Sequence, residues 1–191
     1  MTSKIPEVLT NVKVYSDGTS AHGTANVKLP NIEAMTETIT GAGISGEVEV
    51  PVAGHYKAMK VEIEFYNMNS VFSGLSVGES CNLQIRGSLQ VYEQGKRDDV
   101  PIKVSVLGRV LSSERGTLEP GKKTSPKTTV SVEYYKEEFD GQVITEIDPL
   151  NFIAILNGKN VLAKVAENLG LGGSAGGATG AVKAAFSKIG I

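Results

Sequence analysis

The hexapeptide KVEIEF, residues 60–65, places Val61, Ile63 and Phe65 on one side and Lys60, Glu62 and Glu64 on the other. Successive side chains of a strand point to opposite faces, so strict alternation of this kind marks a strand with one face on a core and one in water. The pattern recurs in NVKVY (11–15), ANVKL (25–29), NLQIRGSLQVY (82–92), PIKVSVLGRV (101–110), TTVSVEYY (128–135), QVITEI (142–147) and NFIAIL (151–156). Turn-forming strings separate these runs: SDG (16–18), EQGKRDD (93–99), EPGKKTSP (119–126) and FDG (139–141). Strands of a parallel sheet are apolar on both faces, and these are not. A mainly β chain is therefore expected, an antiparallel β-sandwich or partly open barrel.

Helical signal is thin. Residues 158–170, GKNVLAKVAENLG, align Val161, Leu162, Val165 and Leu169 at helical spacing and end on Gly170. A second short helix is possible within 67–75, with Asn67 or Asn69 as its cap. The 191 residues suit one principal domain, taken as 1–170. A Gly-rich linker follows at 171–180, then AVKAAFSKIGI, whose Val182, Phe186 and Ile189 share one side. That stripe is expected to dock on a protein surface.

Composition excludes several classes. Lys and Arg number 19 against 21 Asp and Glu, which argues against a sequence-general nucleic-acid binder needing a basic face. The single cysteine, Cys81, allows no intramolecular disulfide and reads as a small core residue made in a reducing compartment. The N-terminal string MTSKIPEVLT has no apolar run of the signal-peptide kind, and no run approaches the ~20 residues of a membrane span. The expectation is a protein made in the cytoplasm with no membrane partner.

Two glycine motifs invite a nucleotide. Gly41, Gly43 and Gly46 spell G-x-G-x-x-G, which cradles a pyrophosphate only when a buried strand leads in and a helix leads out. Here polar EAMTETIT precedes and alternating EVEVP follows, so an extended loop or hairpin over 40–57 is the better reading. In GTLEPGKK (116–123), Lys123 stands where a Mg²⁺-binding hydroxyl belongs, and Pro120 interrupts the amide nest. His22 and His55 have no ligand-spaced companions, and Cys81 has no evident base. No catalytic residue, cofactor or metal is expected. Glu137 and Glu138 read as a solvated strand end.

Three longer strings are distinctive together: LPNIEAMTETITGAGISGEVEVPVAGHYKAMKVEI (29–63), QIRGSLQVYEQGK (84–96) and VEYYKEEFDGQVITEIDPLNFIAILNGKNVLAKV (132–165). In order and spacing the chain from about residue 5 to about 170 resembles the major tail tube proteins of contractile-tailed bacteriophages and related phage-tail-like bacteriocins. The extension from 171 lies outside that resemblance.

The resemblance implies a β-sandwich or partly open barrel with a short helix. It implies hexameric rings that stack into a hollow tube inside a contractile sheath, bounded by tail terminator and baseplate proteins and filled by a tape-measure protein. DNA then passes without specific binding. It also implies a loop in the N-terminal third reaching the next ring, carried here by Gly41, Gly43, Ile44, Gly46, Val48, Pro51 and His55. Glu62 and Glu64 become candidates for the lumen wall, since residues 31–99 hold five bases against ten acids. A DNA-free bacteriocin or other injection device would use the same subunit. A monomeric β-sandwich binding module shares the alternation, although such sites usually display clustered Trp and Tyr, and Trp is absent here.

Overall fold

The computed structural model describes residues 5–18, 20–41, 43, 45–68, 75–93 and 96–170. It is mainly β and antiparallel throughout. In chain order the strands are β1 (Ile5–Ser16), β2 (Ser20–Lys28), β3 (Ala34–Ile39), β4 (Val48–Tyr56), β5 (Met59–Phe65) and β6 (Ser80–Glu93). They continue as β7 (Lys96–Glu114), β8 (Lys127–Phe139), β9 (Gln142–Asp148), β10 (Ile153–Leu156) and β11 (Lys159–Asn160), before helix α1 (Ala163–Asn168).

Nine strands form one sheet in the order β11-β10-β9-β8-β5-β2-β1-β6-β7, and β7 also pairs with β8. That last pairing closes a ring-like circuit of β8, β5, β2, β1, β6 and β7. One short seam joins β2 to β5, from Ala25↔Phe65 to Lys28↔Glu62. Strand β8 serves two partners along one side: Lys127–Val132 pairs with β5, and Tyr135–Phe139 with β9. The β9–β11 flap therefore branches from the circuit.

Alternation explains the core. In β5, Met59, Val61, Ile63 and Phe65 are buried, while Lys60 is exposed and Glu62 and Glu64 half-buried. Val14, Ala25, Leu83, Ile85, Val104, Val106, Val110, Val130 and Val132 come inward from the other circuit strands to meet them. Cys81 joins this cluster, and burial pushes its thiol up to about 11, where a thiolate nucleophile is not available at neutral pH. The turns follow from residues that tolerate left-handed backbone. Asp17-Gly18 turns β1 into β2, Asp140-Gly141 turns β8 into β9, and Asn157-Gly158 turns β10 into β11, all at positive φ.

The segment expected as an extended loop or hairpin over 40–57 is part of a hairpin, β3–β4, which forms its own two-stranded sheet. Two features differ from sequence expectation. The helix is only Ala163–Asn168, because Lys159–Asn160 is claimed by pairing with β10 and Leu162 is the cap. Glu138 is not a solvated strand end: it is half-buried beside Lys103 at 3.0 Å and Lys136 at 3.6 Å. Most of the possible helix within 67–75 lies outside the described residues.

Gly108 sits where β7 slips register against β8, and a Cβ there would lie 1.9 Å from the Ser131 carbonyl oxygen. Gly108→Ala must therefore push a backbone ladder apart. It is expected to cost about 1–3 kcal/mol, read as a lower denaturant midpoint at unchanged slope.

Candidate functional site

The β3–β4 hairpin is the element that the domain core does least to explain. Its paired residues run from Ala34↔Tyr56 through Thr36↔Pro51 to Ile39↔Val48, and nearly every position is exposed on both faces. Cross-strand partners share a face, so Ile39 and Val48 lie together on one side, next to Val50. Val48 is 48% exposed, Val50 38% and Val52 40%. Two-stranded ribbons are marginal by themselves in water. An apolar stripe on a free ribbon is therefore an interaction surface in waiting.

The hairpin is clamped at its base. Gly54 has φ +74°, and a Cβ there would fall 2.2 Å from a methyl carbon of Leu162. Leu162, the α1 cap residue, is 5% exposed, so the start of α1 is seated against the root of the hairpin. The backbone N–H of Lys57 donates to the Glu33 carbonyl at 2.9 Å, and Lys57 Nζ pairs with Glu33 at 3.1 Å. Apart from half-buried Ala166 the helix itself is exposed, Val165 included, as is Leu169 just after it.

The structure gathers most of the expected contact residues into this one element. Gly41, Gly43 and Gly46 form its tip, with positive φ at Gly43 and Gly46, while Val48, Pro51 and His55 lie exposed along β4. Ile44 lies outside the described residues. The G-x-G-x-x-G string is thus a strand–turn–strand feature with no helix after it to receive a phosphate. The second glycine motif lies in the β7–β8 connection, again followed by a strand. Among the described residues no group of three His, Cys, Asp or Glu could hold a metal ion.

Glu62 and Glu64 occupy the polar face of β5, and each has a base beside it. Glu62 meets Lys127 at 2.7 Å and Lys28 at 3.5 Å, and Glu64 meets Lys123 at 3.7 Å. The hydrogen bond from Lys127, followed by its charge, holds the Glu62 carboxyl below the usual carboxylate range. On the same side, Arg109 of β7 pairs with Glu133 of β8 at 3.0 Å. This face is a mosaic of compensated charge. The acid excess of residues 31–99 resides largely in and beside the hairpin instead, where Glu33, Glu37, Glu47 and Glu49 stand with no Lys or Arg between Leu29 and Tyr56. Sequence counting located the excess but not its address, because the lysines that neutralise β5 come from β2, β8 and the β7–β8 connection.

A further feature escaped the sequence reading. Strands β1, β6 and β7 outrun the circuit and form a three-stranded tongue from Ile5–Val12, Gly87–Glu93 and Lys96–Pro101. Strand β1 meets β2 only from Lys13 onward, and β7 meets β8 only from Ile102 onward. Among the described residues both outer edges of the tongue are therefore unpaired. Val8, Leu9 and Tyr92 are exposed upon it.

A closed β domain with a projecting apolar hairpin and two open sheet edges defines a class of protein: a subunit shaped for assembly. The chain belongs to the phage tail tube protein FII family, which matches residues 6–170. It is 28% identical over 172 residues to the tail tube protein of Escherichia phage P2, covering 87% of this chain and 99% of that one. It is also 28% identical over 171 residues to the major tail tube protein of Serratia phage KSP20, covering 88% and 99% respectively. The protein is thus a phage tail tube subunit, a structural component of the virion. Among the described residues no helix is long and apolar enough to cross a membrane.

A carboxylate held below its ordinary value stabilises the fold above that ordinary value, about 4.3, and loses the contribution as pH falls through the folded-state value. Glu62→Gln should therefore melt slightly below wild type near about pH 7, as an exposed pair allows. The gap should close toward about pH 3 in melting curves followed by circular dichroism.

Proposed function

We propose that this subunit forms hexameric rings that stack into the hollow inner tube of a contractile tail, with assembly in the bacterial cytoplasm. The β3–β4 hairpin carries the reading, because its apolar stripe has no partner among the described residues and its rooted base lets it reach outward. In this proposal Gly41, Gly43, Ile44, Gly46, Val48, Pro51 and His55 contact the next ring. The unpaired edges on opposite sides of the tongue support head-to-tail joining, which a rotation closes into a ring with no edge left over. The sheath surrounds the tube, terminator and baseplate proteins cap it, the tape measure occupies it, and DNA passes through it.

Glu62 and Glu64 face the lumen in this arrangement. Their compensation by lysines makes the wall a wetted, locally neutral surface, with little net field to attract or repel phosphates beyond a Debye length of ~8 Å. The C-terminal stripe of Val182, Phe186 and Ile189, which lies outside the described residues, docks on a neighbouring copy. Its support is the segment's charge, Lys159, Lys164, Lys183 and Lys188 against Glu167, which suits it to an acidic surface.

One assembly assay, electron microscopy with sedimentation, tests these roles. Replacing residues 39–48 by Asn-Gly keeps the hairpin root and a two-residue turn, and should give a folded subunit that no longer forms tubes. Tubes of normal length from that variant would refute the inter-ring role. A Glu64→Cys thiol should react with a bulky maleimide in free subunits and be shielded in tubes; equal labelling would place it outside the lumen. Truncation after Gly170 should lower the heat and denaturant resistance of tubes, and unchanged resistance would remove the docking role.

A further inference from the structure

The register places like charges side by side where the tongue joins the circuit. Lys13 of β1 lies directly opposite Arg86 of β6, and Arg86 directly opposite Lys103 of β7. Directly opposed side chains share a face with Cβ atoms about 5 Å apart, and like charges there destabilise a sheet. Lys103 is relieved by Glu138 at 3.0 Å. The other two lack a carboxylate. Arg86 donates to the Gln84 side chain and the Gly18 carbonyl and lies 4.8 Å from the Tyr15 ring centre. Lys13 makes no ion pair among the described residues. Both are exposed. The same face carries Val8, opposite Gln90, and Tyr92, opposite Arg97. These are 54% and 42% exposed. An apolar pair next to two uncompensated cations is a binding surface for a partner that is both apolar and acidic.

This chain supplies such a partner. The β3–β4 hairpin presents Ile39, Val48 and Val50 together with Glu37 on one face, with Glu49 hydrogen-bonded to Thr36 on the other, and no cation on either. Glu33, the other acid nearby, is already taken by Lys57. We infer that the Lys13–Arg86 face of one copy receives the acidic hairpin of a second copy. The Glu37 carboxylate meets the two cations, and the valines on its face meet Val8 and Tyr92. The contact is heterologous, since hairpin and receiving face are different surfaces, and so it propagates from copy to copy instead of closing a pair. Desolvating Lys13 and Arg86 against carboxylates also removes the repulsion that the isolated subunit stores. The inference rests on the proposed stacking of copies and names the surface that the hairpin meets.

Charge exchange in the full chain tests it. Lys13→Glu with Arg86→Glu should raise the critical concentration for tube formation about tenfold or more, with circular dichroism confirming a folded subunit. Glu37→Lys should do the same. All three changes together should recover assembly, an outcome that simple misfolding cannot produce. If the reversals leave assembly of the wild-type kind, or if the combined variant fails to recover, the pairing is overturned while the tube reading stands. A wild-type chain that remains monomeric at every concentration overturns the tube reading and the pairing together. If the Lys13 and Arg86 reversal leaves tubes intact and only abolishes retention of duplex DNA or of an acidic partner protein, the face belongs to that ligand and the inference is wrong.

Discussion

Pairing of β7 with β8 is the constraint on which the rest depends. Without it the nine-strand sheet is an open ribbon with one apolar face in water. With it, six strands return upon themselves and their inward residues meet as one cluster around Val61, Ile63, Leu83, Val106 and Val130. Every buried backbone group must find a partner, and a sheet closed on itself supplies one without help from another chain. Long β7, Lys96–Glu114, makes this possible because Lys96–Arg109 pairs with β6 on one edge and Ile102–Glu114 pairs with β8 on the other. Gly108 admits the Ser131 carbonyl at the slip between them.

Closure also determines what is left over. Once the core is complete in the circuit, the hairpin and the tongue have no interior to enter, and their apolar residues remain at the surface. In an isolated domain such features would invite uncontrolled association. In the proposed tube they are the surfaces through which identical chains meet. The circuit carries the stability of the subunit and the proposed contacts fall on different residues. Leu162 at the hairpin root is the main link between them, since it fixes where the projecting element leaves the body.

The legibility of the molecule varied with the range of the interaction. The strings around residues 11–15, 60–65, 82–92, 101–110 and 128–135 announced their strands through alternation, because that pattern is local. Asp-Gly and Asn-Gly turns were readable for the same reason. The glycine string at 41–46 could be separated from a phosphate cradle by its flanks alone, since EVEV alternates where a helix would be needed. Reading failed where distant segments compete. Residues 158–162 carry helical spacing, but β10 captures Lys159–Asn160 and shortens the helix to six residues. The tongue was invisible because nothing local says where β2 and β8 stop accompanying their neighbours.

Charge makes the same division. By itself the sequence determined the class of fold, the inward residues of each long strand, the acid excess of residues 31–99 and the membership of a tube family, since each is written in local pattern or in a string of characters. Tertiary structure decided which acids are free. Lys28 and Lys127 come from strands far apart in the chain to flank Glu62, whereas among the described residues no base reaches Glu47 or Glu49. It also decided that Lys13 and Arg86 stand shoulder to shoulder. An alternating pattern says which face a side chain takes, but only strand register says which charge it must live beside.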